Sequence, residues 1–205
     1  MKFIRAVQFI AILLWAPTLL ASENVKTILV MGDSLSAGYG IKLEEGWVHL
    51  LQERIQGQYP YTVINASVSG ETTGGGSARL PALLEEHQPA IVVLELGGND
   101  GLRGHPVNIM RRNLQEMIAL SDAAKAQVVL LGMHIPPNYG ARYTRIFNQT
   151  YAELAQENRV PIVPFFLDGV AGDAKLMQRD GIHPTADAQV TMLNHVWPVL
   201  EPLLK

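Results

Sequence analysis

At 205 residues, with 48% hydrophobic and 17% charged side chains, the chain is long enough for one sizeable core and short for two. A net charge of -3 without any Lys/Arg run argues against a nucleic-acid partner, since such binders carry a basic stripe. The lack of cysteine excludes disulfides, thiolate metal sites and a lipid-attached amino terminus.

The first residues, Met1-Lys2-Phe3-Ile4-Arg5, are basic; an apolar stretch runs from Ala6 to Leu20 and closes on Ala21-Ser22-Glu23. This order predicts a secretory signal peptide over residues 1-22, cleaved near Ala21 or Ser22. A retained membrane anchor fits less well, because Gln8 and Pro17 interrupt a run already shorter than the ~20 apolar residues a span needs. The mature protein is expected to be exported, periplasmic or secreted, with no membrane span.

Five apolar, β-branched segments follow: Thr27 to Met31, Thr62 to Ala66, Ile91 to Leu96, Gln127 to Met133 and Val160 to Val163. None alternates with period two, as expected when both faces of a parallel sheet are covered. Helical spacing fills the intervals. Trp47, Leu50, Leu51 and Ile55 mark one helix, Leu80, Leu83 and Leu84 a second, and Ile109, Met110, Leu114, Met117 and Ile118 a third. Phe147, Tyr151 and Leu154 mark a fourth. Gly74-Gly75-Gly76 reads as a flexible turn ahead of Arg79-Leu80-Pro81, since it lacks the Lys-Ser/Thr of a phosphate loop. A final helix is predicted after Pro184, with Thr185 as N-cap, Asp187 in the first turn, a face of Val190, Leu193 and Trp197, and Pro198 ending or bending it. Alternating strand and helix implies an α/β sandwich with right-handed crossovers. No linker or repeat divides the chain after residue 22.

In such a sheet, ligands gather beyond the carboxyl ends of the strands, and the polar clusters fall there. Gly32-Asp33-Ser34-Leu35-Ser36 follows the first strand and Asn65 to Gly70 the second. Gly97-Gly98-Asn99-Asp100 follows the third and His134 to Gly140 the fourth. Ser34, at a strand-to-helix turn, is a candidate nucleophile, although Gly-Asp-Ser taken alone also fits a simple N-cap. It is not the Gly-x-Ser-x-Gly elbow, because Ser36 stands where that motif needs glycine. Far downstream, Asp180-Gly181-Ile182-His183-Pro184 offers a base and its orienting carboxylate: His183 precedes proline and is pushed toward extended backbone, and Asp180 can curl back to Nδ1-H. Taken alone, the same residues also fit a turn and a surface ring. Asn99 offers an uncharged donor for a developing oxyanion, and Gly70 permits close approach of its N-H, while turn chemistry explains both motifs equally well.

Gly32-Asp33-Ser34-Leu35, Gly70, Gly98-Asn99-Asp100 and Asp180-x-x-His183-Pro184 occur in the order of the four blocks of the SGNH (GDSL) hydrolases, and from about Lys26 onward the chain resembles that family. It is most similar to the secreted arylesterase, acyl-CoA thioesterase I and lysophospholipase L1 group, through Leu96 to Gly104 and Pro137-Asn138-Tyr139-Gly140. The resemblance implies one hydrolase domain over residues 23-205: a three-layer α/β/α sandwich, flavodoxin-like, on a parallel five-stranded sheet. It implies Ser34 as nucleophile, His183 as base and Asp180 as its partner, with the Ser34 N-H, the Gly70 N-H and the Asn99 side chain as oxyanion donors. The substrates implied are acyl esters and thioesters. Leu102, Ile135, Pro136 and Tyr139 are expected to line the acyl groove.

A carbohydrate O-deacetylase using the same serine apparatus is the alternative enzyme, and a non-catalytic ligand-binding module the alternative class. No cofactor and no metal are expected, since no histidine pair has ligand spacing. His49, His87 and His195 read as packing or surface residues of helices, while His105 and His134 lie in loops near the site. No heptad or large apolar stripe demands a partner, so a monomer is expected.

Overall fold

The computed structural model describes residues 25-205; the leader expected over residues 1-22 lies outside the described residues. Five parallel strands form one sheet in the order β2-β1-β3-β4-β5, which is the flavodoxin-like order. They are β1 (Lys26–Gly32), β2 (Tyr61–Asn65), β3 (Ile91–Glu95), β4 (Gln127–Leu131) and β5 (Ile162–Val163). Thr27 pairs with Thr62, Ile28 with Ile91 and Val92 with Val128, so the strands stand side by side along their length. Every residue of β3 is buried, and this two-sided covering is why the apolar runs lack alternation.

Among the described residues, seven α-helices complete the layers: α1 (Ser34–Ala37), α2 (Trp47–Ile55), α3 (Thr73–His87), α4 (Gly98–Leu102), α5 (Val107–Ala123), α6 (Ala141–Asn158) and α7 (Gln189–Leu200). α2 packs on α7 over one face, while α3 packs on α5 and α5 on α6 over the other. The buried positions carry the helical period. Trp47, Val48, Leu51 and Ile55 face inward on α2, and Met110, Leu114, Met117, Ile118 and Ser121 on α5. Phe147, Tyr151 and Leu154 are buried on α6 as anticipated. Among the described residues, no helix is long and apolar enough to cross a membrane.

The structure departs from the sequence reading in several places. Gly74-Gly75-Gly76 is the first turn of α3, not a flexible turn. Gly76 is there because α3 comes so close to the sheet that a Cβ would collide with Leu96 and press on the Met117 sulfur. Three glycines cost helix stability, roughly 0.8-1.0 kcal/mol each relative to alanine. Two caps offset that cost: Thr72 Oγ1 accepts from the Gly75 N-H at 3.3 Å, and Asp100 Oδ2 from the Thr73 N-H at 2.8 Å.

At the last helix, Thr185 precedes a 3-10 turn over Ala186–Ala188 that holds Asp187 and leads into α7, but the Thr185 side chain makes no cap. The inward face of α7 is Gln189, Met192, Leu193, Val196 and Leu200; Val190 is exposed and Pro198 lies inside the helix, which continues to Leu200. Ile109 is exposed too. Strand ends shift by a residue or two, β3 stopping at Glu95 and β4 at Leu131.

Candidate active site

The sheet order reverses between β1 and β3, and the crevice beyond their carboxyl ends gathers the polar loops. β1 ends at Gly32, Asp33 caps α1, and Ser34 is the first helical residue. β3 ends at Glu95, and Asn99 lies in the first turn of α4. The loop between β5 and α7 brings the far end of the chain over the same edge.

Ser34 Oγ lies 2.9 Å from His183 Nε2, across 149 positions of sequence. On the other side of the ring, His183 Nδ1 lies 2.7 Å from Asp180 Oδ2. A carboxylate only accepts, so Nδ1 carries the proton and donates to it; Nε2 is left to accept from the Ser34 hydroxyl. The Asp180 carboxylate is itself pinned, because Oδ1 accepts from the Ile182 N-H at 2.9 Å and the His183 N-H at 3.0 Å. Its bond with the His183 ring, then those two backbone donors, hold Asp180 down to about 2.

The loop carrying this pair is closed locally. The His183 carbonyl accepts from the Gln178 N-H at 2.7 Å, and Met177 and Pro184 form a bridge. Gln178 Nε2 donates to the Pro184 and Tyr39 carbonyls, and the Tyr39 ring lies against His183, centroids 4.4 Å apart. Tyr39 had no signature in the sequence beyond its place after the serine turn.

Beneath the serine lies a buried polar layer. The Asp33 N-H donates to Glu95 Oε2 at 3.2 Å, and the Ser36 hydroxyl donates to the same oxygen at 2.7 Å. Ser36 Oγ in turn accepts from Trp47 Nε1 at 3.2 Å. Asp33 Oδ1 accepts from the Leu35 N-H and Oδ2 from Asn99 Nδ2, each at 3.0 Å. Burial pushes Asp33 up to about 6, with the Leu35 and Asn99 hydrogen bonds opposing it. Burial, reinforced by the neighbouring Asp33 charge, pushes Glu95 well above the ordinary carboxylate range. The sequence carried a signal for Glu95 that motif reading passed over: it is the one charged residue ending an otherwise wholly apolar strand.

Ser34 opens onto a cleft of about 240 Å³ with Asp33, Gly98, Asn99 and His183 at its polar end. Leu102, Ile135 and Pro136 line it, and so do Leu35, Met133 and Phe165. Tyr139 does not: it lies behind the wall, where its hydroxyl donates to the Leu102 carbonyl at 3.1 Å. Gly70 is not on the cleft wall either. It takes a left-handed φ of +80°, which favours glycine, and its carbonyl accepts from Arg103 Nη2 at 3.0 Å. Of the loop histidines, His134 stacks on Phe165 at 4.2 Å on the cleft rim, and burial holds it below its ordinary value. His105 Nδ1 lies 3.7 Å from Asp100. His49, His87 and His195 sit in α2, α3 and α7, as read from the sequence.

Residues 30–189 match the GDSL-like Lipase/Acylhydrolase family. The chain is 52% identical over 180 residues to esterase TesA of Pseudomonas aeruginosa, covering 87% of this chain and 90% of that protein. It is 44% identical over 178 residues to thioesterase 1/protease 1/lysophospholipase L1 of Escherichia coli, covering 87% and 85%. Among solved structures it is similar to psychrotrophic esterase EstA from Pseudoalteromonas sp., inhibited by monoethylphosphonate, with a TM-score of 0.83, 43% identity, and coverage of 87% and 98%. This chain belongs to the GDSL-like lipase/acylhydrolase family of hydrolytic enzymes.

Proposed function

We propose that the protein is an exported serine esterase that cleaves carboxylic esters and thioesters of acyl chains through an acyl-enzyme. The observation that carries this reading is the unbroken chain of contacts from Ser34 Oγ through His183 to Asp180, 2.9 and 2.7 Å long, opening onto an apolar cleft. The relatives, an esterase and a thioesterase/lysophospholipase by name, support the same bond class.

The mechanism follows from these groups. Ser34 Oγ attacks the acyl carbonyl as its proton passes to His183 Nε2, and Asp180 stabilises the resulting imidazolium. The carbonyl oxygen becomes an oxyanion, held by the Ser34 N-H and the Asn99 amide at the cleft, with the Gly70 N-H as the third donor that the family resemblance implies; one such donor is worth about 2.7-4 kcal/mol in the transition state. The tetrahedral adduct collapses, the C-O or C-S bond breaks, and His183 returns its proton to the leaving alcohol or thiol. Water then attacks the acyl-serine, giving its proton to His183; the Oγ–C bond breaks, His183 returns that proton to Ser34 Oγ, and the carboxylic acid leaves. The apolar cleft walls suit an acyl chain, excluding water as they bury it.

Labelling with a fluorophosphonate probe, followed by peptide mapping, tests the nucleophile. Wild-type protein is expected to be modified at Ser34, as the phosphonate inhibition of the Pseudoalteromonas esterase suggests. Ser34→Ala is expected to stay folded, take no label and lose turnover of p-nitrophenyl esters; near-wild-type hydrolysis by that variant overturns the proposal. A parallel panel of acyl thioester, lysophospholipid and acetylated sugar separates the acyl esterase from an O-deacetylase, which would favour the sugar.

A further inference from the structure

We infer that Asp33 is a positioning residue for the reaction: its carboxylate orients the Asn99 amide toward the reacting carbonyl, and its backbone, tied to buried Glu95, fixes the peptide that carries Ser34. The inference rests on the esterase reading above and adds a residue to it.

Asp33 is only 2% exposed, and both of its carboxylate oxygens accept from neighbours, Oδ1 from the Leu35 N-H and Oδ2 from Asn99 Nδ2. The Asn99 side chain has no other hydrogen-bond partner among the described residues. The contact with Asp33 therefore decides which end of that amide is the donor end. A flipped amide would set its oxygen against the carboxylate, and its second N-H would no longer be available where an oxyanion forms. Asp33, Ser34, Gly98 and Asn99 all line the cleft, so the orienting contact is made at the reacting centre itself.

The second arm runs through the backbone. Glu95 Oε2 binds residue 33 through its N-H and residue 36 through its hydroxyl, bracketing Ser34 between two attachments to one buried oxygen. A single acid at the N-cap thus couples the nucleophile's turn to a donor in the first turn of α4. An amide at position 33 cannot replace it, because one of its two ends donates and would face either the Leu35 or the Asn99 N-H.

A double-mutant cycle on ester hydrolysis tests this. Asp33→Asn is expected to lower kcat on p-nitrophenyl butyrate about 10- to 100-fold with KM within about twofold, less than the about 10²–10³-fold of deleting an oxyanion donor outright. Asn99→Ala is expected to show that larger loss. The Asp33→Asn/Asn99→Ala pair is expected to be within about threefold of Asn99→Ala alone, because the group through which Asp33 acts is already gone. Asp33→Ser retains a side-chain oxygen to cap α1 but is too short to hold Asn99, so it separates the orienting contact from helix capping. It is expected to lose kcat as Asp33→Asn does while keeping the wild-type urea unfolding midpoint.

Losses that multiply in the double variant, a change confined to KM, or wild-type kcat in Asp33→Ser each overturn the inference. Wild-type protein that neither takes the fluorophosphonate nor cleaves ester overturns the esterase reading and this inference together. Normal labelling and turnover with multiplying losses overturn the inference alone.

Discussion

Replacing Gly32 with alanine separates local propensity from tertiary contact, because the two predict opposite signs. Gly32 ends β1, outside the positive-φ positions, so alanine meets no backbone strain. Propensity alone predicts a gain of about 0.5-1 kcal/mol. The contacts predict the reverse. A Cβ at Gly32 would stand 2.6 Å from Glu95 Oε2, 2.7 Å from Ser36 Oγ and 2.8 Å from Ser36 Cβ, where ordinary contact begins at 3.4 Å.

None of these neighbours has room to yield. Glu95 is fully buried and Ser36 nearly so, and they are hydrogen-bonded to each other at 2.7 Å. Overpacking costs about 1-3 kcal/mol, and loosening the Glu95 bonds to Ser36 and the Asp33 N-H adds about 0.5-1.5 kcal/mol each. Against the propensity gain, the net expectation is a loss of about 1-5.5 kcal/mol, or roughly 2-20 °C in Tm for a domain of this size. Urea unfolding followed by circular dichroism reads the first quantity, and a thermal melt the second. The kcat on p-nitrophenyl butyrate should fall as well, because the same displacement moves Asp33 and Ser34. A variant as stable as wild type, or more so, refutes the claim that the buried carboxyl dictates glycine at this turn.

Two further outcomes follow from the electrostatics. Asp33 and Glu95 both hold their protons to higher pH in the folded chain than in the unfolded one. The stability they contribute is therefore complete below the ordinary carboxylate range and is lost as pH rises through about 6 for Asp33 and higher for Glu95. Glu95→Gln retains an acceptor without the acid, so its urea midpoint relative to wild type should rise steadily between pH 5 and pH 8; a constant difference refutes the assignment. Asp180 has the opposite sign. Its folded value is depressed to about 2, so its contribution is present above the ordinary value and disappears only as pH falls toward 2. Asp180→Ala should lower kcat about 10²–10⁴-fold with little change in KM, by freeing the His183 ring and the loop beneath it; steady-state hydrolysis within tenfold of wild type refutes that role.

The layers of the fold were legible because their signals are local. Unalternating runs such as Ile91 to Leu94 mark strands covered on both faces, and the spacing of Met110, Leu114, Met117 and Ile118 marks a helix by itself. The misreadings fall where a distant neighbour overrules the local signal. Gly74 to Gly76 looks like a turn, yet it is helix because Asp100, brought in by α4 beyond the end of β3, caps it and the sheet leaves no room for a side chain at Gly76. Val190 has the right spacing for a packing face but is exposed, because the buried stripe runs through Gln189, Met192, Leu193, Val196 and Leu200, and Gln189 takes the inward place by accepting from the Trp47 N-H.

The candidate site divides in the same way. Residue type and order pointed to Ser34, Asp180 and His183, each in a short motif beside a strand end or a proline, whereas the role of Asn99 came chiefly from the family resemblance, because turn chemistry explains its motif equally well. Only the assembled sheet decided that His183 stands 2.9 Å from Ser34, that Tyr139 lies behind the cleft wall, and that Glu95 reaches under the serine turn. Periodicity and turn chemistry act within a few residues, whereas a contact spanning 149 positions depends on strand order and on which helix fills which face.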